Sequence, residues 1–146
     1  MVSNTNLSQS RSVLVLLTLM SMMGALSVDC YLPAIPQLTQ HFHGAFDEIQ
    51  YSLTTFLLGL GMVQLWIGPI SDRYGRKPVF FWGGCIYVVA SLLCTVIDSS
   101  LHLNILRFMQ GIGACVLVTT SYAMVRDIYQ GKELGKVLGY MAAGLA

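Results

Sequence analysis

Four long apolar stretches constrain this chain more than any other feature of its sequence. They cover residues 13–38, 49–70, 78–97 and 101–125. Each approaches or exceeds the roughly 20 apolar residues that carry a helix across a bilayer. A segment in lipid has to satisfy its backbone internally, so helices are the expected form. The fold class predicted is an all-α membrane protein with four transmembrane helices and the start of a fifth, from about residue 134. Pro33 and Pro36 are expected to kink or end the first span, and Pro78 suits the first turn of the third. The fifth stretch runs to residue 146 without a cap or breaker, and the chain reads as a fragment of something longer. The predicted organisation is a tail over 1–12 and a partial transmembrane domain over 13–146.

Composition agrees. Asp, Glu, Lys and Arg make up 10% of the 146 residues and hydrophobic residues 55%, whereas an ordinary soluble domain carries about 25% charged residues. With a net charge of +1, this excludes a soluble enzyme, a disordered chain and a nucleic-acid binder. Cys30, Cys85, Cys94 and Cys115 form no CxxC pair and are expected to be small apolar packing residues. His41 and His43 are expected in a solvated loop. The region before the first span holds only Arg11, which argues against a cleaved signal peptide.

The basic residues give sidedness. Arg11, Arg73, Arg76, Lys77, Arg126, Lys132 and Lys136 all fall on one side of a four-span threading, and the opposite loops carry Asp47, Glu48 and Asp98. The positive-inside rule makes the N-terminus and the Arg73–Lys77 turn cytoplasmic. Gly111 and Gly113 in span four, and the Gly131, Gly135, Gly139 series, are expected to serve close helix packing.

Two ionisable residues lie within spans, Asp29 and Arg107. Intramembrane charges are costly and normally face the protein interior or water with a partner. At 1.5 Å per residue their depths differ by about 5 Å, so the expectation is an Asp29–Arg107 pair. An Asp in such a place can bind and release a proton, as proton-coupled transport requires. The run Gly68-Pro69-Ile70-Ser71-Asp72-Arg73-Tyr74-Gly75-Arg76-Lys77-Pro78 is a second cluster. It predicts a structured turn with an internal ion pair such as Asp72–Arg76.

That run resembles the major facilitator superfamily signature G-x-x-x-D-R-x-G-R-K, through Gly68, Asp72, Arg73, Gly75, Arg76 and Lys77. Arg107-Phe108-Met109-Gln110-Gly111-Ile112-Gly113-Ala114 is similar to the R-x-x-Q-G-x-G-A motif of proton-coupled drug exporters. Asp29-Cys30-Tyr31-Leu32-Pro33-Ala34-Ile35-Pro36 resembles the D-M-Y-L-P-A-L-P stretch of the bicyclomycin- and chloramphenicol-resistance branch, as does Val125-Arg126-Asp127-Ile128-Tyr129. Ser71 and Cys30 depart from the usual Ala and Met. Ser21 and Met22 stand where some relatives carry a second acid.

The resemblance implies the N-terminal part of a twelve-helix bundle of a drug:proton antiporter in the bacterial inner membrane. It implies no enzyme activity and no cofactor, with the proton gradient as energy source. It implies a small-molecule drug, protons, lipid and the missing C-terminal helices as partners, without nucleic acid. Asp29, Arg107 and Gln110 would carry proton coupling. Gly68, Asp72, Arg73, Gly75, Arg76 and Lys77 would gate the cytoplasmic end. Met22, Ala25, Leu26, Gly111 and Ala114 are weaker candidates for lining the drug cavity. As a fragment the chain is expected to be inactive alone. Two other readings are a membrane scaffold without transport and a four-helix small multidrug transporter. The seven-to-none distribution of basic residues argues against the second, because antiparallel dimers need little bias.

Overall fold

The computed structural model describes residues 4–37, 46–97 and 99–143. These residues form five helices: α1 (Asn4–Tyr31), α2 (Phe46–Tyr74), α3 (Arg76–Cys94), α4 (Ser100–Ile128) and α5 (Gly131–Ala143). The first four are long and apolar enough to cross a membrane. His41, His43 and Asp98 lie outside the described residues.

The breaks between helices have local causes. α1 gives way to a 3₁₀ turn at Leu32–Ala34, where Pro33 has no N–H to continue the helical ladder. α2 absorbs Pro69 and runs on to Tyr74. The expected turn over 68–78 is therefore helical on both sides of a single residue. That residue is Gly75, at φ +93°, a conformation that side chains with a Cβ rarely adopt. Span two was expected to end at 70 and span three to begin at 78, because the polar residues between them read as a loop.

α4 is the centre of the bundle and packs against α1, α2 and α3. It approaches α2 and α3 through glycines. A Cβ on Gly111 would meet the Phe56 carbonyl oxygen, and one on Gly59 the Phe108 carbonyl oxygen. On the α3 side, a Cβ on Gly113 would lie 2.7 Å from the Tyr87 nitrogen. Small residues at such crossings let backbones meet in lipid, as the sequence predicts for Gly111 and Gly113.

The fifth helix behaves differently. Val137 and Met141, one turn apart, pack with Leu17 and Val125. A Cβ at Gly131, Gly135 or Gly139 would meet nothing within 4 Å. The expected glycine packing is thus not made among the described residues. A glycine face buries little area, and the branched face of α5 wins the contact. Leu65 and Val96 are 81% and 77% exposed, which suits surfaces turned to lipid.

Candidate functional site: a guanidinium at each end of the bundle

At the end of the bundle that holds Tyr31 and Ser100, polar side chains converge on Arg107. Its guanidinium carbon stands 3.6 Å from the centroid of the Tyr31 ring, within cation–π range. Tyr31 is itself buried and shares a hydrogen bond with Ser52 of α2. Arg107 Nη1 donates to Gln110 Oε1 at 3.0 Å. Gln110 Nε2 donates to Ser91 Oγ at 2.7 Å, and Ser91 Oγ donates to the Tyr87 carbonyl at 2.8 Å. Tyr87 hydrogen-bonds Ser27 of α1. One guanidinium on α4 is thereby tied to α1, α2 and α3.

The arrangement corrects the expected Asp29–Arg107 pair. Among the described residues no carboxylate forms an ion pair with Arg107, and Asp29 is exposed. The reason is helical geometry. Asp29 and Tyr31 are two residues apart, about 200° around α1. With Tyr31 turned to Arg107, Asp29 points to the other side. Tyr31, Ser52 and Ser91 are members of the cluster that the sequence reading missed. The aromatic two residues after an intramembrane acid was the available signal for Tyr31; nothing marked the two serines.

A cavity of about 470 Å³ opens beside this cluster, lined by Leu26, Cys30, Tyr31, Cys94, Arg107 and Gln110 among others. Of the weaker cavity candidates, Leu26 lies on it. Met22 and Ala25 are half-buried on α1 away from it. Gly111 and Ala114 belong to helix contacts instead: Gly111 against Phe56, and fully buried Ala114 beside Gly24. Cys30 and Cys94 also correct an expectation, since both line this cavity and Cys30 is exposed. Cys115 is buried against Ile67 and Val116, a packing residue as expected.

At the opposite end, Arg76 joins three side chains. Its Nη2 lies 2.6 Å from Asp72 Oδ1, its Nε 3.1 Å from Asp127 Oδ2, and its Nη1 donates to Ser71 Oγ at 2.7 Å. Ser71 Oγ in turn donates a hydrogen bond to the Gly68 carbonyl at 2.9 Å. The Asp72–Arg76 pair is the one the sequence predicts. Asp127 is the added partner, and it links the α2–α3 turn to the end of α4. Arg73 stacks loosely on Tyr74, 5.7 Å from its centroid, and Lys77 is exposed. Gly68 contributes its carbonyl and Gly75 the turn.

Comparison with known proteins decides what this bundle is. The family model described as Major Facilitator Superfamily matches residues 17–146. The chain belongs to the major facilitator superfamily. It is similar to a chloramphenicol resistance protein of Pseudomonas aeruginosa, 38% identical over 136 residues, covering 92% of this chain and 32% of that protein. A multidrug resistance protein MdtL of Klebsiella pneumoniae is 36% identical over 114 residues, covering 78% and 29%. A bicyclomycin resistance protein homolog of Haemophilus influenzae is 33% identical over 132 residues, covering 89% and 33%. The chain thus spans about a third of the length of the curated relatives it matches. As a superfamily chain with four apolar helices it is a multi-pass membrane protein of a transporter family.

Proposed function

We propose that this chain supplies the N-terminal helices of a proton-coupled drug exporter in a bacterial inner membrane, with its N-terminus in the cytoplasm. The observation that carries the reading is the Arg107 cluster, a partly buried cation tied to three other helices beside a cavity and stacked on Tyr31, two residues after exposed Asp29. A permanent charge at this depth is costly and is kept where charge movement is the task. Asp29 is the titratable group. It accepts a proton from the outer side and releases it inward, and small apolar or cationic drugs compete for the same space. The names of the relatives, which speak of chloramphenicol, bicyclomycin and multidrug resistance, support the substrate class. At the inner end Arg76, Asp72, Asp127 and Ser71 lock α2, α3 and α4 together while the outer side is open. Gly68, Arg73, Gly75 and Lys77 complete that gate.

The relatives are about three times as long as the matched segment, and the exposed faces of α2 and α5 await further helices. Residues 1–146 alone are therefore expected to confer no drug resistance. Resistance above an empty-vector control would overturn this. The same 146 residues within a transporter of the relatives' length should confer it, and failure there would remove the export reading.

The proposed sidedness has its own test. In a chain with its native cysteines changed to serine, Tyr74→Cys should resist a membrane-impermeant thiol reagent in intact cells, whereas Phe46→Cys should react. The reverse pattern would invert the topology.

A further inference from the structure

The hydroxyl of Ser91 is used twice. It donates to the Tyr87 carbonyl, one turn back on α3, and it accepts from Gln110 Nε2 on α4 at 2.7 Å. The first bond is one that a serine inside a helix commonly makes. The second crosses between helices, and packing alone does not require it. Arg107 completes the chain. A guanidinium only donates, so Nη1 needs the oxygen of the Gln110 carboxamide, which it meets at 3.0 Å. The amide therefore has one orientation, with oxygen toward Arg107 and nitrogen toward Ser91. Gln110 is buried, so an amide end left without its partner is costly.

Ser91 is also fixed relative to Gln110. α3 and α4 meet as antiparallel neighbours through two glycines. A Cβ at Gly113 would stand 2.7 Å from the Tyr87 nitrogen, and one at Gly83 would overlap the Val116 side chain. Ser91 lies four residues after Tyr87, and Gln110 three before Gly113. The two therefore meet one turn beyond a backbone contact that leaves little slack. The guanidinium has no such contact of its own. Gln110 and the Tyr31 ring hold it, and no carboxylate pairs with it among the described residues.

We propose that Ser91 is a positioning residue for Arg107 and acts through Gln110. With Nε2 anchored on α3, Oε1 stays on the guanidinium, and the guanidinium stays on the Tyr31 face. Without the anchor, Gln110 swings on its flexible side chain to find another acceptor, and Oε1 leaves Arg107. α3 carries no Asp, Glu, Lys or Arg beyond Lys77, yet it sets where the cation of α4 stands. That this placement matters for export rests on the function proposed above; the positioning itself does not.

The test reads the guanidinium directly. The 146-residue chain is made with arginine enriched in the heavy nitrogen isotope, purified in detergent and studied by NMR. Arg107→Lys identifies the Arg107 signals by their loss. A held guanidinium should show two resolved Nη signals, because rotation about its Cζ–Nε bond is slowed. Ser91→Ala should speed the exchange between them about tenfold or more, the factor that one hydrogen bond to a charged group supplies. Gln110→Ala should do the same, and the double variant should do no more. Ser21→Ala is the control, since that buried hydroxyl donates to Thr18 of its own helix and should leave Arg107 unchanged. Arg76, held by Asp72, Asp127 and Ser71, reports folding in every sample through its own resolved signals. Should Ser91→Ala fail to fold, Ser91→Cys takes its place, because a thiol fills the space and accepts only weakly. Averaged Arg107 signals in the unaltered chain would overturn the proposal. So would slow exchange retained without the Ser91 hydroxyl, a further effect of Ser91→Ala on top of Gln110→Ala, or an equal effect of Ser21→Ala. None of these readouts involves transport, so their failure leaves the export reading standing, and failure of the resistance test above leaves the positioning standing.

Discussion

Valine at Gly111 is expected to force α4 away from α2 and to abolish accumulation of the folded chain in membranes. The first carbon of any side chain there would fall on the Phe56 carbonyl oxygen and lie 3.0 Å from the Phe56 carbonyl carbon. The obstacle is backbone, so no rotamer change relieves it. Overpacking a core with side-chain neighbours costs about 1–3 kcal/mol, and a backbone clash at the central crossing should exceed the top of that range. Gly59 makes the reciprocal contact with Phe108, so the two helices cannot relieve the clash by rotating about this point. Gly135→Val is the matched control, since a Cβ at Gly135 meets nothing within 4 Å. Steady-state level and protease resistance of the two variants in membranes would decide. Wild-type levels of Gly111→Val would show that α2 and α4 do not meet as described.

The contrast between these glycines shows what the sequence could and could not tell. Gly111 and Gly139 both sit in small-residue patterns within apolar helices, and composition does not distinguish them. What separates them is the partner: α4 is surrounded by three helices, whereas the glycine face of α5 has none among the described residues. Helix existence was legible throughout, because the length of an apolar run and the absence of soluble-protein charge decide it. Boundaries were less so. Residues 71–74 are polar yet continue α2, since Asp72 and Ser71 find Arg76 across the Gly75 turn. Around Arg76, the pair with Asp72 was legible from four-residue spacing. Asp127 was not, because 51 residues separate it from Arg76 and only the fold brings them together.

The Arg107 site shows the same limit. Depth along a span can be counted from sequence, and it made Asp29 and Arg107 look like partners. Azimuth cannot be counted until one neighbour is fixed. Tyr31 fixes it: the ring lies over the guanidinium face, and Asp29, about 200° around the helix, is turned away.

In a transporter of the relatives' length that carries these residues, Asp29→Asn is expected to abolish drug-induced proton release and leave the fold intact. Asp29 is exposed and takes part in no ion pair among the described residues, so an amide of the same shape removes the titratable site and no tertiary contact. Arg107→Ala acts differently. It removes the cation from the Tyr31 ring, frees Gln110 Oε1, and unties α4 from α1. A cation–π contact with a desolvated guanidinium contributes about 2 kcal/mol, so accumulation should fall together with transport. Arg107→Lys should recover little, because an ammonium lacks the plane that stacks on Tyr31 and the fork that reaches Gln110. Since Asp29 and Arg107 share no partner here, their effects on stability should add within about 0.5 kcal/mol. A direct pair would instead give a coupling energy well above that, because removing one charge would strand the other. Thermal unfolding of the two single variants and the double variant measures the coupling, and proton release on drug addition measures the function. Strong coupling in stability would mean that the Tyr31 arrangement is not the resting one. Normal proton release from Asp29→Asn would place the coupling acid outside α1.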